Sequence, residues 1–118
     1  MWTYTVYTLY KYCLNRREEC KELEFRRLAD LFFRKLWREQ GIVFHDSKHD
    51  LYADLQYLRE LGILELLGDE KNLDSVIIRI KDFEKLKEIA KAVEQSYALT
   101  GIKLFSIYKD RIDNTLRE

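Results

Sequence analysis

No proline occurs in the 118 residues; glycine occurs four times, cysteine and histidine twice each, and methionine once. Each scarcity closes off some chemistry. Gly41, Gly62, Gly68 and Gly101 are too few and too scattered for a phosphate-cradling loop, a dinucleotide fingerprint or a nucleophile elbow. No enzymatic activity, catalytic residue or cofactor is therefore expected. Cys13 and Cys20 stand seven apart, a spacing that matches neither a CxxC pair nor a zinc site, and they read as two reduced thiols. Charge of one sign is missing too. The 21 Lys and Arg balance 21 Asp and Glu, so no global field draws in nucleic acid or an anionic membrane, and any such binding has to come from a local patch. No apolar run approaches the roughly 20 residues of a membrane span, and nothing at the N-terminus has the form of a signal peptide. Together these absences lead to the expectation of a cytoplasmic protein with no membrane partner.

What remains is an ordinary globular composition with an unusual share of charge: 47% apolar, 14% aromatic and 36% charged. A charged fraction this high without proline leans towards a thermophile. The length suits one domain, residues 1–118, with enough buried surface to need no staple.

The opening WTYTVYTLYKYCLN is β-like in composition, yet its period is helical. Trp2, Val6, Leu9, Tyr10 and Cys13 fall on one side at about 100° per residue, and Tyr4, Thr8, Lys11 and Asn15 fall opposite. A helix over 3–14 is expected, followed by the charged connector NRREECKE. From about Leu23 a second helix runs to Gln40, with Gly41 as its C-cap. Phe25, Leu28, Phe32 and Leu36 make its inner face, Arg27, Arg34 and Arg38 lie opposite, and Phe33 and Trp37 flank the core stripe. Ser47 with Asp50 resembles a capping box and starts a third helix at Lys48 that turns Leu51, Leu55 and Leu58 inward. Gly62 ends it. ILELL and SVIIRI then read as two strands joined by the polar GDEKNLD, a β-hairpin with a longish loop. From Asp82 the chain is helical again: Phe83, Leu86, Ala90, Val93 and Tyr97 form a stripe, Gly101 breaks it, and Leu104, Phe105, Tyr108, Ile112 and Leu116 make a last amphipathic face.

Three helices followed directly by a hairpin resemble the winged helix-turn-helix family of DNA-binding domains, and LQYLRELGILEL, Leu55 to Leu66, carries the sharpest likeness. Its leucines three apart, the Leu-Gly step and the apolar pair after it look like the end of a recognition helix entering the first wing strand. The likeness covers residues 2–80; a connection of about seven residues after Gln40 departs from the tight turn usual in the family. It implies a mainly α fold with a small β-hairpin, a winged-helix core over 2–80 and a two-helix C-terminal extension over 82–118. It also implies double-stranded DNA as partner and transcriptional regulation as function. Lys48, His49, Tyr52, Gln56 and Arg59 would face the groove, with Arg34, Lys71, Asn72 and Arg79 on the flanking backbone. Asp46, Asp50, Asp54, Asp69, Glu70 and Asp74 work against that reading and keep open a module that binds protein instead.

HDSKHD invites a third reading, a metal-dependent hydrolase, because His45 and His49 are four apart. The cap at Ser47 leaves His45 outside the helix, and no remote His or Cys completes a ligand set, so no metal is expected. Phe105, Tyr108, Ile112 and Leu116, with Phe33 and Trp37, exceed what a three-helix core needs. They are expected to pair two copies in a homodimer, with the first helix of the same chain as the competing destination.

Overall fold

The computed structural model describes residues 2–100 and 103–117. Among them are five principal helices and one small antiparallel sheet. Helix α1 is Trp2–Leu14, and a short 3-10 turn, Glu19–Lys21, leads into strand β1, Leu23–Glu24. Helix α2, Phe25–Asp30, continues unbroken as a π-wound stretch, Leu31–Glu39. Then come α3 (Lys48–Glu60), β2 (Leu64–Leu67), a 3-10 turn at Leu73–Ser75, β3 (Ile77–Ile80), α4 (Phe83–Thr100) and α5 (Lys103–Leu116). The expected break at Gly101 lies outside the described residues.

Helix α1 is the axis of the molecule. It packs against α3, α4 and α5, and every residue from Tyr4 to Tyr10 is buried. The expectation that Tyr4 and Thr8 lie on an outer face is thereby corrected: three helices surround α1, so it has no outer face until Lys11. The clue was present, since no charged residue occurs between Trp2 and Tyr10, and a helix without a polar side is one buried all round. Burial of this kind, at about 1.5–3 kcal/mol for each large apolar side chain, outweighs the few tenths that each β-branched residue loses in a helix.

A second correction concerns the thiols. Cys13 and Cys20 form a disulfide, with Cα atoms 5.8 Å apart. Compartment and motif spacing argued for reduced thiols, but the chain turns just after Leu14 and the 3-10 turn brings Cys20 back onto the buried side of α1. That places two cysteines within bridging distance.

The sheet has the order β1-β3-β2. Leu64, Leu66 and Leu67 of β2 face Ile80, Ile78 and Ile77 of β3, and on the other edge Leu23 faces Ile78. Gly62, at φ +80°, makes the left-handed exit from α3, and Gly41, at φ +72°, closes α2 with its N–H donating to the Trp37 carbonyl. The expected hairpin is present; β1 is an addition, taken from the start of the expected second helix.

The segment between α2 and α3 is packed. Phe44 stacks on Tyr4 at 4.4 Å between centroids and meets Tyr108 edge-on at 4.8 Å, and His45 is only 3% exposed. Helix α5 lies on α1 through Phe105, Tyr108 and Ile112, all buried. Leu104, expected on that inner face, is 65% exposed, because the buried stripe of α5 runs through Phe105, Tyr108, Ile112 and Thr115 and leaves Leu104 at its edge. No described helix is long and apolar enough to cross a membrane.

Candidate interaction surface

The N-terminus of α3 and the loop between β2 and β3 form one face. Lys48 Nζ lies 3.0 Å from Asp74 Oδ1, tying the first turn of α3 to the loop. The helix starts where the Ser47 hydroxyl accepts the Asp50 N–H at 3.3 Å. Asp50 in turn accepts the N–H of Asp46 at 3.0 Å, one residue before the cap. Loop residues Asp69, Glu70, Lys71, Asn72 and Asp74 are exposed.

The residues expected to contact DNA are therefore only partly brought together. Lys48, His49, Lys71 and Asn72 share this face and are exposed. Gln56 is half-buried farther along α3, and Arg59, exposed near its end, lies 3.6 Å from Glu60. Tyr52 does not belong to the surface. It is 8% exposed and turns its ring edge to Phe25 at 6.2 Å, because its position four residues before Gln56 sits beside the Leu51 and Leu55 core stripe. Arg79 is carried by β3 opposite Glu65 and bound to Glu22 at 3.1 Å. Arg34 grips Asp30 through two 2.7 Å hydrogen bonds and reaches Glu39 at 3.2 Å.

Charge on this face runs opposite to that of a phosphate reader. On α3, its lead-in and the 68–75 loop, the exposed carboxylates are Asp46, Asp50, Glu60, Asp69, Glu70 and Asp74, and the exposed cations are Lys48, Arg59 and Lys71. Two of those three cations already face a carboxylate of the chain. An aromatic pair joins α3 to α1: Tyr57 of α3, 44% exposed, rests against Trp2 of α1 with centroids 5.0 Å apart.

Behind α3 the HDSKHD stretch is structural in its contacts. Asp54 Oδ2 accepts from His45 Nε2 at 2.8 Å and from the Thr5 hydroxyl at 2.8 Å, and Thr5 Oγ1 is itself 2.9 Å from Nε2. The Phe32 ring stands edge-on to His45 at 4.8 Å. Burial raises the Asp54 carboxyl, but the hydrogen bonds from His45 and Thr5 outweigh it and hold the group below the usual carboxylate range. His49 points elsewhere, exposed on the first turn of α3, so the two histidines do not converge. Among the described residues no three His, Cys, Asp or Glu side chains gather in a way that could hold a metal ion.

The side chains expected to pair two copies are mostly spent within the chain. Phe105, Tyr108 and Ile112 are buried against α1, and Leu116 is half-buried. Phe105, Tyr108 and Ile112 thus serve as an internal brace, the competing destination, because α1 offers a second aromatic side at Tyr4 and Tyr7, whose rings lie 5.1 Å from Tyr108 and Phe105 respectively. Phe33 is half-buried next to Trp37, which is 39% exposed. No family model, no curated protein and no solved structure matches the chain.

Proposed function

We propose that the chain is a winged-helix interaction module that binds a protein partner of basic surface through α3 and the 68–75 loop. Three helices running directly into a hairpin support the winged-helix reading, and the join of Lys48 to Asp74 makes helix and wing one surface. The observation that carries the choice of partner is the excess of exposed carboxylates on that face. A duplex reader draws affinity from neutralising phosphates, and an acidic face subtracts from it. Tyr57 backed by Trp2 supplies a partly exposed aromatic anchor on the same helix, of the kind that protein interfaces favour, and the acids of the helix start and the loop give charge complementarity to a basic partner.

The test is a photo-crosslinking side chain placed at position 57 of the full chain in its native cell. A protein adduct lost when Asp50 and Asp74 are both changed to Lys is the expected result. A nucleic-acid adduct at that position overturns the reading.

Duplex DNA is the second reading, favoured by His49, Lys71 and Asn72, exposed on the same face. On that reading the affinity for random duplex falls steeply between two salt concentrations and drops again in a Lys48/Arg59/Lys71→Ala triple variant. Unchanged affinity in the triple variant excludes it.

A further inference from the structure

A cleft of about 470 Å³ opens where the ends of α1 and α5 meet the outer side of α2. Arg16, Arg26, Arg27 and Lys35 line it, and Asp30 is the one carboxylate among its lining residues. Asp30 is already neutralised from outside, by the two short hydrogen bonds from Arg34. Arg27 and Arg26 each hold a glutamate, Glu19 at 3.0 Å and Glu24 at 2.7 Å, and neither glutamate belongs to the lining.

The other two cations form no salt bridge among the described residues. Arg16 donates from Nη1 to the Tyr12 carbonyl and from Nη2 to the Leu116 carbonyl, each at 3.1 Å, so it fastens the end of α5 to the end of α1. Carbonyls orient a guanidinium without cancelling its charge, and three of its five N–H groups remain to donate. The guanidinium also lies over the Tyr12 ring, 4.7 Å from its centroid, which fixes it further. Lys35, half-buried on the facing helix, makes no salt bridge among the described residues, although its charge reaches the Asp30 carboxylate that Arg34 already holds. The Tyr12 wall adds no negative charge, since burial and then the hydrogen bond to Glu19 push its hydroxyl up to about 12. In a chain whose acids and bases balance, four cations converging on one concavity are a local construction and not the residue of a basic protein.

We propose that this cleft is an anion site for phosphate groups, with Arg16 and Lys35 as the two binding cations and Arg26 and Arg27 at its rim. A guanidinium held from behind offers the planar fork that phosphate oxygens accept in pairs, and an ammonium opposite supplies a mobile point charge. Leu116, half-buried, gives the remaining wall an apolar surface against which the non-phosphate part of a ligand can lie. A small phosphorylated molecule and the phosphodiester backbone of a nucleic acid share this chemistry. None of these residues belongs to the α3 and loop face, so this site and the protein-binding face stand or fall separately.

The test titrates the full-length chain with inorganic pyrophosphate at low salt and follows backbone amide resonances. Saturable shifts at Arg16, Lys35 and Thr115 are expected. Affinity should fall about tenfold for each cation removed in Lys35→Ala and Arg26→Ala, and Lys35→Arg should retain most of it. Arg16 is left unchanged because it also holds α5 in place. A Lys87/Lys91→Ala variant on α4 removes two positive charges elsewhere, as many as Lys35→Ala and Arg26→Ala together, and should leave the affinity as it was. A 5′-phosphorylated duplex is the second arm: shifts at the same residues with duplex but not with pyrophosphate assign the phosphates to nucleic acid. No saturable shift in either arm overturns the proposal. So does equal weakening by the α4 variant, which would reduce the effect to general screening.

Discussion

The disulfide between Cys13 and Cys20 closes a loop of seven residues' separation, which in the chain-entropy treatment corresponds to about 2.5 kcal/mol of stability. Unfolding in denaturant with and without reductant should differ by that order, and Cys13→Ala with Cys20→Ala should behave like the reduced chain. Equal midpoints in all three would mean that the bridge constrains nothing. Asp54 makes a second prediction. Its folded carboxyl is held below the unfolded value, near 3.9, so it contributes stability that is fully present above about pH 4 and lost as pH falls through the lower folded value. Asp54→Asn should be less stable than the native chain at neutral pH, and the gap should close on acidification into that window. A gap that is constant from neutral pH down to the acid limit would assign the loss to packing and not to charge. At this scale the sequence was read well where a residue's role follows from period: Val6, Leu9, Cys13, Leu51, Leu55 and Leu58 are all fully buried as expected. It was read poorly where the role depends on a distant partner. His45 and Asp54 are nine residues apart on a loop and a helix, and Thr5 joins them from α1; no local pattern announces such a triangle.

At the scale of elements, the same division holds. Helix α2 changes winding at Leu31 to a π form through Glu39, yet its inner face was legible, because Phe32 and Leu36, four apart, share a side in either winding. Strand β1 was not legible. Two residues, Leu23 and Glu24, pair with β3 more than fifty positions later, and two residues have no period to detect. The α5 brace was weighed as one destination for its aromatic face, but which surface receives that face is a matter of tertiary packing that the chain order leaves open. Two predictions belong here. Leu55 and Leu58, both fully buried, anchor α3 to the core, and replacing either by Ala should cost about 2–5 kcal/mol in chemical denaturation. A chain ending at Thr100 removes the cover from Tyr4 and Tyr7, and should lose cooperative unfolding by calorimetry. A truncated chain that melts cooperatively at the native temperature would show α5 to be dispensable to the fold and would return its apolar face to the search for a partner.

For the whole molecule the open matter is whether one chain suffices. The radius of gyration is 13.5 Å, equal to the roughly 13.5 Å expected of a folded chain of this length, so no arm of the described residues reaches out towards a second copy. Phe105, Tyr108 and Ile112 are inside. Among the described residues, what remains apolar and strongly exposed on the C-terminal pair of helices is Leu99, Leu104 and Ile107, at 88%, 65% and 49%. These flank the connection between α4 and α5. A specific protein interface buries about 800 Å² on each partner, more than three aliphatic side chains provide, and Lys103 and Asp110 stand exposed on the same turns of α5. Light scattering on the intact chain at micromolar concentration should therefore give the mass of one copy, 14.4 kDa. If self-association emerges only at higher concentration, Leu104→Glu with Ile107→Glu should abolish it without lowering the melting temperature, since neither side chain supports the core. A stable two-chain mass that survives those substitutions would place the contact elsewhere, with Trp37 and the outer side of α2 as the next surface to test. It would also bring two anion clefts into one particle, and pyrophosphate titration of the dimer would then read two sites per assembly where the monomer reads one.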